Sequence, residues 1–114
     1  MLDYTPTLVS ELETIGLPVH FELWLKQNTQ VPCISYQLQN DVAGPEGDTL
    51  GYSEVSYRIK IWAKTKKEIA QYSQEIDALM RGLGFTRINT NELWMGDIGQ
   101  NLMTYRGLGL EDFN

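Results

Sequence analysis

The sequence predicts an α+β domain, an antiparallel sheet with two helices packed on one face, on three observations. Apolar residues repeat at helical spacing in two segments and alternate at strand spacing in most of the others. Short polar turns join neighbouring strand segments, which favours antiparallel pairing. Neither helical segment can bury its apolar stripe alone, so both must cover the sheet. The predicted order is α-β-β-β-α-β-β. The 114 residues, 13.0 kDa, suit one domain spanning 1–114. Size scaling gives a folded surface of about 6,300 Å², and 42% hydrophobic with 21% charged residues is a globular composition.

Thr5-Pro6 opens the first helix, with Thr as N-cap and Pro at the first helical position. Leu8, Val9, Leu12 and Ile15 form its stripe, and Gly16 and Pro18 end it. From Leu17 the period becomes 2: Val19, Phe21, Leu23 and Leu25 alternate with His20, Glu22, Trp24 and Lys26. The polar stretch Gln27–Gln30 leads to a second alternating run, with Ile34, Tyr36 and Leu38 on one face. Read as a hairpin, the two runs place Phe21 opposite Tyr36 and Trp24 opposite Cys33.

Residues 40–51, NDVAGPEGDTLG, hold three glycines, a proline and three acids, and are expected to form a flexible surface loop. The next strand alternates Val55, Tyr57, Ile59 and Ile61 with Ser56, Arg58, Lys60 and Trp62. Thr65-Lys66-Lys67-Glu68 reads as a capping box. Ile69, Tyr72, Ile76, Leu79, Met80 and Leu83 then mark one face of a long helix ended by Gly82 and Gly84. Phe85 to Ile88 restarts extended structure. Leu93–Met95 and Leu102–Leu110 read as a hairpin around Gly96–Gly99, with the phase unclear near Asn89–Asn91.

The reactive inventory is sparse. Cys33 is the single cysteine and His20 the single histidine, which excludes a disulfide framework and any zinc site needing two imidazoles. The hairpin register separates Cys33 from His20 by roughly 13 Å, too far for a nucleophile–base pair. Asp41, Glu46 and Asp48 lack the spacing of a calcium loop, and GPEGDTLG lacks the lysine of a phosphate loop. No catalytic residue, metal or cofactor is expected. The start, MLDYTPTL, has no basic or apolar leader character, and no run is long enough to span a membrane.

Fifteen acids against nine bases give net charge −6, which disfavours general nucleic-acid or anionic-membrane binding. The bases are unevenly spread: Arg58, Lys60, Lys64, Lys66 and Lys67 lie within ten residues. Arg58, Lys60 and Trp62 share the outer face of their strand, and Trp24 falls on the same side of the sheet. Such a stripe reads as a solvated face, as a protein interface rich in Arg and Trp, or as a platform for single-stranded nucleic acid. Two tryptophans facing away from the core favour a subunit interface.

Tyr52–Arg87 (YSEVSYRIKIWAKTKKEIAQYSQEIDALMRGLGFTR) is a strand ending in Ile61-Trp62, a capped helix, and Leu83-Gly84-Phe85-Thr86-Arg87. With Thr104-Tyr105-Arg106-Gly107, the strand Pro32–Tyr36 and the acidic-glycine loop, it resembles the tail-completion or tail-terminator (head–tail joining) proteins of long-tailed phages. The resemblance covers about residues 5–112 and rests on hydrophobic patterns with few fixed residues. It implies a structural virion protein forming a ring, usually hexameric, on the head-proximal end of the tail tube. The ring would stop tube polymerisation and dock the head connector, after assembly in the host cytoplasm. The implied partners are other copies of the chain, the tail tube protein and the connector or stopper. DNA would cross the lumen without specific binding. The expected patches are Trp24, Arg58, Lys60 and Trp62 against an acidic complement: Glu11 and Glu13, or Asp41, Glu46 and Asp48. The alternatives are another stopper or adaptor protein and a small nucleic-acid-binding module using strand 52–63.

Overall fold

The computed structural model describes residues 5–22, 30–43 and 52–110, with the backbone alone at 40–43, 52–54 and 108–110. The elements are α1 (Thr5–Glu13), β1 (Val19–Phe21), β2 (Cys33–Ala43), β3 (Tyr52–Ala63), α2 (Lys66–Gly82), β4 (Thr86–Met95) and β5 (Ile98–Leu110). The order is the one the periodicities predict, and the class is α+β. The strands form one sheet in the order β1-β2-β3-β5-β4.

β3 lies at the centre because its period-2 pattern is the longest and cleanest. Val55, Tyr57, Ile59, Ile61 and Ala63 are all buried. They meet Met103 and Tyr105 from β5, Ile34 from β2, and the stripes of both helices: Leu8 and Leu12 from α1, Ile69, Ile76 and Met80 from α2. Both helices therefore cover one face of the sheet. α2 starts at the expected cap, where Glu68 N–H donates to Thr65 Oγ1 at 3.1 Å. It ends where Gly84 takes φ +94°, a conformation glycine adopts without a Cβ clash. Phe85 N–H then donates to Met80 O at 2.9 Å, turning the chain into β4.

Three expectations are corrected. The sheet is mixed: β1 runs parallel to β2, with Val19, His20 and Phe21 opposite Ile34, Ser35 and Tyr36. The Phe21–Tyr36 pair exists, with ring centroids 5.6 Å apart, but in a parallel ladder. That ladder begins where Ile34 N–H donates to Pro18 O at 2.8 Å, before Trp24 is reached. Cys33 instead pairs with Trp62 of β3. A parallel pair needs a connection longer than a hairpin turn, and residues 22–32 provide one.

The second correction concerns the loop. Asn40–Ala43 continue β2, past a register shift between Leu38 and Asn40, so strand pairing extends into the predicted loop; residues 44–51 lie outside the described ones. The third concerns the last hairpin. β4 is continuous, and a register shift between Arg87 and Asn89 accounts for the broken alternation. Gly96, at φ +67°, opens a two-residue turn into β5. Trp94 thereby falls on the helix-covered side, its ring so close to Gly99 that a Cβ there would lie 2.6 Å from it. Gly107 is likewise a packing site, beside the ring of Phe85.

The molecule measures 48 × 23 × 23 Å. Its surface of 7000 Å² exceeds the size-scaling value of about 6,300 Å², as expected for an elongated chain.

Candidate interaction surfaces

The face of the sheet opposite the helices carries the predicted stripe. Arg58, Lys60 and Trp62 alternate with the buried β3 residues, opposite Gln37, Ser35 and Cys33 on β2 and Thr104, Leu102 and Gln100 on β5. All three are half-buried rather than exposed. Lys60 Nζ lies 2.6 Å from Glu22 Oε2, with the two side chains 14% and 21% exposed. Ser35, fully buried, accepts a 2.9 Å bond from Trp62 Nε1. Lys60 Nζ also stands 5.5 Å from the centre of the Trp62 ring, within cation–π range. The chain leaving β1 thus reaches past β2 to β3 and neutralises the lysine. Three buried polar atoms associated with this face, Glu22 Oε1, Arg58 Nε and Gln100 Oε1, have no hydrogen-bond partner among the described residues.

Lys60→Met should therefore destabilise the fold by about 2 kcal/mol, because Glu22 keeps a half-buried carboxylate with no cation beside it. Glu22→Gln combined with Lys60→Met should recover most of that loss in urea unfolding. Equal stability of Lys60→Met and the unaltered chain would show that the pair contributes nothing.

Of the other predicted interface residues, Trp24, Glu46 and Asp48 lie outside the described residues. Asp41 is in β2 with Val55 as its cross-strand partner, three positions from Arg58; its side chain is not described. The structure brings Arg58, Lys60 and Trp62 together and adds Glu22 and Ser35, which the sequence reading did not single out. Glu22 escaped because the hairpin reading carried its strand onward to Lys26. A parallel register also brings His20 closer to Cys33 than the predicted hairpin does, since His20 pairs with Ser35. Cys33 is nevertheless buried, and burial pushes its thiol up to about 11. That is the reverse of an activated nucleophile.

β1 and β4 are the two edge strands of the sheet, and β4 is much the longer. Nine of its ten residues are exposed, all but Trp94. Ile88, Leu93 and Met95 on this strand are three of the four exposed large hydrophobic residues among those described. Leu93 pairs with Gln100, which places it on the same face as Trp62.

On the helix-covered side, α2 and β4 border a recess of about 440 Å³. Asp77 sits in its wall. It accepts a 3.0 Å bond from Tyr105 Oη and pairs with Arg81 Nε at 3.0 Å and Arg87 Nη1 at 3.6 Å. Burial and the Asp77 carboxylate both push the Tyr105 phenol well above its usual range. Next to it runs a second polar chain: Thr90 Oγ1 donates to Asn101 Oδ1 at 3.0 Å, and Asn101 Nδ2 donates to Ser73 Oγ at 2.8 Å. Asn101 and Tyr105 share the phase of buried Met103, and Ser73 and Asp77 flank the α2 stripe at i, i+4. That coincidence of phase is the signal by which this cluster could have been found. Among the described residues, no group of three His, Cys, Asp or Glu side chains could hold a metal. No described helix is long and apolar enough to cross a membrane.

No protein-family model matches this chain, and no curated protein matches it either.

Proposed function

We propose that this chain is a structural virion protein that forms a hexameric ring on the head-proximal end of a phage tail tube. The ring ends tube polymerisation and offers the docking surface for the head connector. The observation that carries this reading is the open edge at β4. A ten-residue strand exposed along nearly its whole length, with Ile88, Leu93 and Met95 uncovered, is a site for adding a neighbouring chain. A ring closes when such a patch meets a different patch on the next copy and the rotation completes a circle. The α-β-β-β-α-β-β order and the resemblance of Tyr52–Arg87 to tail-terminator proteins supply the context. The partners on this reading are other copies, the tube protein and the connector or stopper, and the net charge of −6 suits a lumen that DNA passes without sticking.

The nucleic-acid reading is disfavoured by one contact: Lys60, the centre of the basic stripe, is already paired with Glu22. A stopper or adaptor role differs only in which partner is bound. Light scattering should give a concentration-dependent species near 78 kDa, six times 13.0 kDa, with a central hole in micrographs. Leu93→Lys with Met95→Lys should return it to a single chain. A strict monomer at high concentration, with and without purified tail tubes, overturns the proposal. Capture by tubes rather than by emptied heads separates terminator from connector.

A further inference from the structure

We propose that the recess between α2 and β4 is an oxyanion site that takes a carboxylate or phosphate group on Ser73, Gln74, Arg81 and Arg87. These residues, with Asp77 and Ala78, line the recess. The inference does not depend on the ring reading.

The charge balance comes first. One carboxylate, Asp77, stands between two guanidiniums and also accepts from Tyr105. The cluster keeps one surplus positive charge in a chain whose net charge is −6. Asp77 meets Arg81 at Nε and Arg87 at Nη1, so one carboxylate is shared by two guanidiniums, each of which carries five N–H donors. Arg81 is 71% exposed and Arg87 40% exposed, so both can reach a ligand from solvent. Planar forks of this kind match the paired oxygens of carboxylates and phosphates.

The direction of the neighbouring polar chain supplies the second argument. Thr90 donates to the carbonyl end of Asn101, and the amide end of Asn101 donates to Ser73 Oγ. Ser73 is thus the acceptor in that bond, and its own hydroxyl proton has no acceptor among the described residues. Asn101 is almost fully buried between β4 and α2. Ser73 can therefore donate into the recess beside the guanidiniums, and the Gln74 amide adds another donor. The only carboxylate in the wall is held by its three partners, so an incoming anion meets donors on each side.

The test is an NMR titration of the full chain with sodium phosphate and, separately, sodium acetate. Saturable shifts of the Arg81 and Arg87 Nε–H signals and of the amides around Ser73 are expected. Arg87→Gln should weaken binding about tenfold, the loss of one charged hydrogen bond. Ser73→Ala, which leaves both cations in place, should weaken it less. Arg81→Gln alone, at an exposed position, serves if the Arg81→Gln/Arg87→Gln chain fails to fold. Absence of saturable shifts with either anion, or equal binding by the single and double Gln variants and the unaltered chain, overturns the proposal. The source of the oxyanion follows from assembly mass. A drop in mass for the Gln variants assigns the site to a carboxylate of a neighbouring copy. Unchanged mass with lost titration assigns it to a dissolved anion. If the unaltered chain is monomeric yet titrates, the ring reading fails and the site stands.

Discussion

Leu12→Ala is expected to lower the unfolding free energy by about 3 kcal/mol and the thermal midpoint by roughly 12 °C. α1 has nine residues, too few to hold a helix in water by itself. Leu8 and Leu12, one turn apart and both fully buried, attach it to the core that β3 and α2 build. Removing three carbons from Leu12 loses their burial and leaves a cavity between elements that cannot close over it without moving the helix. The Thr5 Oγ1–Tyr57 Oη hydrogen bond, 3.0 Å, ties the start of α1 to β3 and resists that movement. Ser10→Ala, at an exposed position of the same helix, is the control and should shift the midpoint by little. A midpoint for Leu12→Ala within a degree or two of the unaltered chain would show that α1 is not docked as described.

Stability should also fall in alkali, by about 2 kcal/mol between pH 8 and pH 11 from Cys33 alone. Burial raises the thiol from 9.0 to about 11. Below pH 9 both folded and unfolded chains keep the proton, so the stabilisation is fully present. Between pH 9 and pH 11 the unfolded chain releases it while the folded chain does not, so rising pH favours unfolding. Tyr105 adds to the trend in the same direction, because its phenol is also raised, by burial and by Asp77. Urea unfolding at pH 8 and at pH 10.5 measures the effect. Cys33→Ala should flatten the pH dependence over this window while costing some stability at pH 8. If it leaves the alkaline slope unchanged, Cys33 is not the group responsible.

Much of this fold is legible in the residues because it depends on local chemistry. Thr65 and Glu68 sit three apart before an apolar stripe, and the cap forms there whatever surrounds it. The period-2 run from Val55 to Ile61 separates a buried face from a face bearing Arg58, Lys60 and Trp62. That grouping needed no partner to be recognised, since residues two apart on a strand share a face. What the stripe lacks is availability. Glu22 occupies Lys60, and Ser35 occupies the Trp62 nitrogen, across a distance of 38 residues in one case and 27 in the other. No local pattern encodes such pairings.

The same division explains β1 and the recess. Alternation in Val19–Phe21 announces a strand but carries no direction, because parallel and antiparallel partners present the same alternating faces. The polar stretch Gln27–Gln30 imitated a hairpin turn, and the Pro18–Ile34 hydrogen bond decides otherwise. Asp77, Arg81, Arg87 and Tyr105 come from α2, β4 and β5 and become a cluster only when the helix lies on the sheet. The sequence by itself determined the elements, their order, the helix cap, the split of β3 into two faces and the α+β class. These depend on spacings of a few residues and on side-chain polarity. Tertiary structure alone decided the direction of β1, the open edge at β4, the neutralisation of Lys60 and the polar recess. Each of those depends on which distant segments meet, and that is set by the packing of the whole core.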